Sequence, residues 1–343
     1  MNKKTCKKCA ISLSANHQLP LRLPMKYFRT YPWGLQLLLF LLMSFTFLSA
    51  AGVIISSLLP KLTGIMPSQL GKIGPDSPAA LVSSTLIVEG ASNLFIFLLP
   101  AFLFAYLTHP QPGQYLGLRA PGKSIQLLLA ILIMLGAMPV LEALSGLISL
   151  INFGPKVKAD QKANEEMFAA FLNVPSFTSF IRVFVILAIV PALGEEMFFR
   201  GILLRFAKKK SVSMVYPILF TAIVFAFIHA NVYGLVSIFL AGVLLAVIYN
   251  LTGSLWCSIL AHLFFNGSQV ILSYASNNNG TVKKAMDNTD IPWYLVACGA
   301  VVFSVSFYLL LKNKTPLPSD WAEDFKRSEL ADQTGSNSNP DSQ

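Results

Sequence analysis

The sequence predicts an all-α fold, a polytopic membrane bundle of about eight transmembrane helices. Three observations predict it. Hydrophobic residues make up 54% of the 343 residues and charged residues only 12%, against about 25% charged in soluble domains. Mean hydropathy is +0.61. The apolar residues fall in about eight runs near the ~20 residues that a helix needs to cross a bilayer. A soluble domain of this length could not cover its surface with 16 acidic residues. The composition also excludes a disordered chain, a collagen-like repeat and a disulfide scaffold. The net charge of +10 is clustered beside apolar runs. That is the pattern of topology signals, so no nucleic-acid partner is expected.

The runs are 34–59, 79–107, 125–151, 177–204, 214–229, 233–250, 255–273 and 292–311. They read as helices because lipid forces every backbone group to be satisfied within its own segment. The fifth and sixth are short and separated by Ala230, Asn231 and Val232, which predicts a tight helical hairpin. With the N-terminus inside, 18 basic residues fall on the inner side and seven on the outer, while Arg182 lies within the fourth run. This bias predicts an integral, multi-pass protein with both termini cytoplasmic. Residues 1–33 form a basic arm whose Cys6 and Cys9 read as plain thiols. No cleavable signal peptide is expected, because the first run starts late and is too long for one. Further units are membrane helices over 34–175, a core over 176–273, an outer loop and last helix over 274–311, and a polar tail over 312–343.

Polar groups inside the runs carry the chemical information, since each ionisable one costs roughly 2.5–3.5 kcal/mol to insert. The densest group is Gly194-Glu195-Glu196-Met197-Phe198-Phe199-Arg200. Glu196 and Arg200 are four apart and pair on one helix face. Glu195 projects about 100° away and is free to act as a general base or acid. Pro191 and Gly194 loosen the helix just before it. His229 ends the fifth run and can share a water with Glu195. His262 and Asn266 lie four apart in the seventh and can donate to a developing oxyanion. At about 1.5 Å per residue, Glu195, His229 and His262 fall about 10, 18 and 12 Å below the inner surface, close enough to meet. Glu89, near Ser92 and Asn93, and Glu142 either bond between helices or line a substrate cavity. Arg182 snorkels to the outer interface. A second Glu-Glu-Met-Phe string over 164–170 lacks the Arg and reads as an amphipathic surface helix.

Glu195-Glu196-x-x-x-Arg200, Phe225-x-x-x-His229 and His262-x-x-x-Asn266, in that order on successive membrane helices, resemble the CPBP (Abi) intramembrane protease family. This family includes the type II CAAX prenyl proteases, the Ras-converting enzymes. The resemblance covers roughly 178–272, including Gly201 and the stretch 252–256. It implies a CAAX-type integral membrane endopeptidase whose catalytic core is the 176–273 unit. Glu195 would activate water, His229 would assist, and His262 and Asn266 would stabilise the oxyanion, with Glu196 and Arg200 in support. The substrate implied is a membrane-associated protein or peptide, which can be lipidated, met in the bilayer. No cofactor is favoured. Zinc on Glu195, His229 and His262 is the alternative, although no HExxH string is present. A non-enzymatic immunity or maturation factor or scaffold is the second functional reading. A transporter is a weaker third, because the polar site is not repeated in the two halves.

Overall fold

The computed structural model describes residues 28–74, 76–209, 211–286, 292–318 and 321–322. The Cys6 and Cys9 thiols, most of the basic arm, Lys210 and the tail beyond residue 322 lie outside the described residues. The main helices are α1 (Trp33–Thr63), α2 (Ala79–Thr108), α3 (Ile125–Ser149), α4 (Pro155–Phe171), α5 (Phe177–Lys208), α6 (Val215–Ile228), α7 (Leu235–Thr252), α8 (Leu255–Asn278) and α9 (Trp293–Lys312). The described residues contain no strand. Seven of these helices are long and apolar enough to cross a membrane, and α6 is a shorter apolar eighth. The protein is therefore a multi-pass membrane bundle. Its outward faces carry Phe45, Val53, Phe227 and Val301, all exposed, a surface that water would not tolerate and a bilayer solvates.

The remaining long helix, α4, contains the second Glu-Glu-Met-Phe string. It is a polar surface helix tied by Lys162–Glu166 at 3.7 Å and Gln161–Glu165 at 2.8 Å. The α6–α7 hairpin forms as expected. Ala230 takes φ +49° in its turn, and the Asn231 side-chain oxygen accepts from the Gly234 amide at 2.8 Å. With 14 residues, α6 rises about 21 Å, less than the ~30 Å hydrocarbon core. The His229 that follows it therefore stops within the depth of the bundle.

One apolar core joins α1, α2, α5, α6 and α7 through Phe40, Phe97, Phe104, Phe198, Phe199, Phe225 and Tyr249. A second joins α3, α7, α8 and α9 through Ile133, Met134, Leu245, Cys257 and Leu310. Packing thus runs across the 175/176 boundary. In the second core α3 and α9 cross backbone to backbone. A Cβ on Gly136 would sit 2.6 Å from the Phe303 nitrogen, and one on Gly299 would sit 2.7 Å from the Gly136 oxygen. Small residues allow such close approach where lipid provides no hydrophobic drive between helices.

Two helices widen near the centre of the bundle. Leu94–Leu98 in α2 and Val185–Ile189 in α5 are π-helical turns. Leu99 N–H reaches back to the Leu94 oxygen and Val190 N–H to the Val185 oxygen. Each has a proline two residues beyond its end, Pro100 or Pro191. A proline has no N–H for the carbonyl four residues back, and a one-residue expansion of the helix accommodates that gap. A third π turn, Met197–Leu203, follows the paired glutamates. The segment carrying them is therefore bracketed by two register shifts.

Candidate active site

Glu195 and Glu196 end the stretch Val190–Glu196 of α5. Helix α8 packs against this stretch, α2 passes on another side, and α7 runs behind Arg200. Glu196 is fully buried and both its oxygens are engaged. Arg200 Nη1 donates to its Oε1 at 2.6 Å, and His262 Nδ1 meets the same oxygen at 3.0 Å. Ser258 Oγ donates to Oε2 at 2.5 Å. The four-residue pairing of Glu196 and Arg200 holds even inside the π turn. Arg200 is 1% exposed, spends its second Nη on the Gly242 carbonyl at 2.9 Å, and lies 5.0 Å from the centre of the Phe225 ring. A buried guanidinium is tolerable here because an anion, a carbonyl dipole and an aromatic face surround it.

Glu195 is 6% exposed and has different neighbours. Its Oε1 accepts from Asn93 Nδ2 on α2 at 2.9 Å. Its Oε2 lies 3.9 Å from His262 Nε2. That gap is too long for a hydrogen bond. A water about 2.8 Å from each atom could still bridge it from the side. His262 therefore stands between the two carboxylates, one ring nitrogen on Glu196 and the other facing Glu195. With Glu196 as acceptor, Nδ1 carries a proton. Nε2 of the neutral ring is then an acceptor, and it becomes a donor only on the imidazolium.

The sequence-derived residues are not all in contact. Glu195, Glu196, Arg200 and His262 form one cluster. His229 joins it through an aromatic bridge: its ring lies 4.6 Å from Phe225, whose ring is 6.1 Å from His262. His229 Nδ1 is 2.7 Å from the Phe225 carbonyl. A carbonyl only accepts, so Nδ1 carries the proton and Nε2 keeps its lone pair. Asn266 lies one turn along α8 from His262, partly buried, and makes no side-chain hydrogen bond among the described residues. Glu89, Glu142 and Arg182 are exposed, and Glu89 lies one turn before Asn93 on α2.

Three contributors escaped sequence reasoning. Asn93 stood out only as a neighbour of Glu89, and nothing local ties it to a residue 102 positions away. Ser258 lies one turn before His262 on the same face of α8, and that spacing was the available signal. Arg205 counted as an inner topology charge, yet it is 5% exposed. Its two Nη atoms donate to the Trp321 and Tyr115 carbonyls at 2.6 and 2.7 Å. The Tyr115 and Trp321 rings lie 4.4 and 4.8 Å from its guanidinium.

A metal is the remaining question for the donor set. Among the described residues, no three or more His, Cys, Asp or Glu side chains are grouped as a metal cage. His262 Nδ1 meets Glu196 and His229 Nδ1 meets a carbonyl, contacts that leave Nε2 of each ring unoccupied. Without such a grouping, no step is derived through a zinc ion.

Residues 177–268 match the family model described as Type II CAAX prenyl endopeptidase Rce1-like. This is the group that the three motifs resemble. The matched stretch takes in Glu195, Glu196, Arg200, His229, His262 and Asn266, and leaves Asn93 outside. No curated protein and no solved structure matches the chain.

Proposed function

We propose that the protein is an intramembrane endopeptidase that hydrolyses a peptide bond close to the membrane surface, with Glu195 activating the attacking water and without a metal. The observation that carries this reading is the placement of His262 between the two glutamates, Nδ1 at 3.0 Å from Glu196 and Nε2 at 3.9 Å from Glu195. Both oxygens of Glu196 are engaged, and Oε1 holds the ring. Glu195 keeps an unbonded oxygen on the side where a water fits.

In this mechanism Glu195 Oε2 takes a proton from the water, and the hydroxide oxygen bonds to the scissile carbonyl carbon. The Asn266 amide donates to the oxyanion, and His262 does so when protonated at Nε2. The lone pair on His229 Nε2 helps orient the water. The oxyanion collapses, the C–N bond breaks, and Glu195 returns its proton to the leaving amine. The products are a carboxylate and an amine. The substrate is a membrane-associated protein or peptide, and the family match favours a prenylated C-terminus. The Lys and Arg bias supports both termini lying on the cytoplasmic side.

The test uses protein reconstituted in liposomes with an internally quenched farnesylated peptide ending in a CAAX tetrapeptide. Glu195→Gln should lose cleavage while inserting normally. Cleavage by Glu195→Gln at near the wild-type rate would refute the assignment. A chelator should leave the wild-type rate unchanged, whereas loss with recovery on added zinc would establish a metal mechanism. A wild-type protein that cleaves neither this peptide nor endogenous membrane proteins would turn the reading to a binding factor on the same fold.

A further inference from the structure

We infer that Asn93, on α2 and outside the family-matched stretch, is a positioning residue that holds Glu195 away from His262 and so keeps open the place of the attacking water. The inference rests on the reading of Glu195 as the base.

The first observation is the bond itself. Asn93 Nδ2 donates to Glu195 Oε1 at 2.9 Å across two helices that are far apart in sequence. The amide can face only one way. Its Oδ1 is buried without a hydrogen-bond partner among the described residues and lies against Gly194, where an added Cβ would sit 3.1 Å from it. A flipped amide would set its oxygen against the Glu195 carboxylate, acceptor against acceptor, so the nitrogen must face Glu195. The unsatisfied oxygen is a cost that the fold retains to keep the donor on Glu195.

The second observation is the backbone that brings Asn93 there. Asn93 immediately precedes the π turn Leu94–Leu98. Gly194 immediately precedes Glu195, and a Cβ there would also press on Leu98, 3.2 Å from its nitrogen and 3.3 Å from its Cβ. The widened turn on α2 and the missing side chain on α5 together allow the close approach that the 2.9 Å bond needs.

The third observation is the gap. Glu195 Oε2 and His262 Nε2 are 3.9 Å apart. Once Nε2 is protonated, the imidazolium and the carboxylate attract each other in a dry site, and a swing of about 1 Å would bring them to a direct bond near 2.8 Å. Such a bond would occupy the oxygen that has to accept the water's proton. Asn93 pulls on the other oxygen and opposes the swing. A merely structural asparagine would stabilise the fold. A positioning one holds the site short of a better internal contact, so its loss should reduce turnover and leave stability unchanged or improved.

The experiment compares wild type, Asn93→Leu, Asn93→Ala and Glu195→Gln as full-length protein in liposomes, with the farnesylated peptide as probe and thermal unfolding alongside. Leu keeps the branching of Asn at Cγ, with bulkier ends, and removes the donor. The expected result is a kcat about 30-fold lower in Asn93→Leu, which is about 2 kcal/mol at 1.36 kcal/mol per decade, with KM within twofold and Tm equal or higher. Asn93→Ala should lose at least as much. A kcat within twofold of wild type overturns the inference, as does a fall in kcat accompanied by a matching loss of Tm or a rise in KM. Failure of both Asn93 variants to fold makes the residue structural and also overturns it. Activity retained in Glu195→Gln removes the underlying reading instead, so the two failures are distinguishable.

Discussion

Replacing Arg200 by Met tests whether the buried charge cluster holds α5 against α7 and α8. The variant removes the 2.6 Å bond to Glu196, the 2.9 Å bond to the Gly242 carbonyl and the contact with the Phe225 ring. It leaves a carboxylate at 0% exposure with only His262 and Ser258. Breaking a fully buried pair by removing one partner costs about 3–5 kcal/mol, a large share of a typical net stability of 5–15 kcal/mol. The double variant Glu196→Gln/Arg200→Met removes both charges. The new carboxamide oxygen can accept from His262 Nδ1, and Ser258 still has the Leu245 carbonyl at 3.0 Å. Removing both partners is often near neutral, so the double variant should return to within about 1 kcal/mol of wild type. It should still cleave poorly, because no anion then holds the His262 ring. Denaturant titration in mixed micelles, read by tryptophan fluorescence, measures both variants. The reasoning fails if Arg200→Met keeps wild-type stability, or if the double variant is no more stable than the single.

Two further outcomes follow from the same geometry. Asn266→Ala should lower kcat by about 10²–10³-fold with little change in KM, as loss of an oxyanion donor does, and steady-state cleavage kinetics check it. Arg205→Ala should leave the α5–α8 cluster intact but release the segment 313–322, which Arg205 holds through the Trp321 carbonyl and ring. Limited trypsin digestion of the detergent-solubilised protein should then cut at Lys312 or Lys314 markedly faster than in wild type, and an unchanged cutting rate would contradict that role for Arg205.

Much of this protein is legible in its sequence because the membrane simplifies the problem. Lipid requires helices, so the length and spacing of apolar runs give the eight spans nearly residue by residue. The scarcity of charge makes Glu195, Glu196, Arg200, His229, His262 and Asn266 conspicuous within their apolar runs. Helical periodicity also gives the local pairing of Glu196 with Arg200. Even the π turns in α2 and α5 leave a trace, in Pro100 and Pro191.

The tertiary structure decided which helices meet and at what register. Periodicity gives a residue a face of its own helix and nothing about what lies opposite. Only packing shows that His262 faces both glutamates, that His229 reaches the cluster through Phe225, and that Arg205 is buried between two rings. The same holds for Asn93. Its contact with Glu195 depends on a widened turn, a glycine on the facing helix and the crossing of α2 with α5. The sequence determined the residues available for chemistry. The crossing of helices distant in the chain determined which of them share a site, because a contact a few ångströms long depends on the packing of the whole bundle around it.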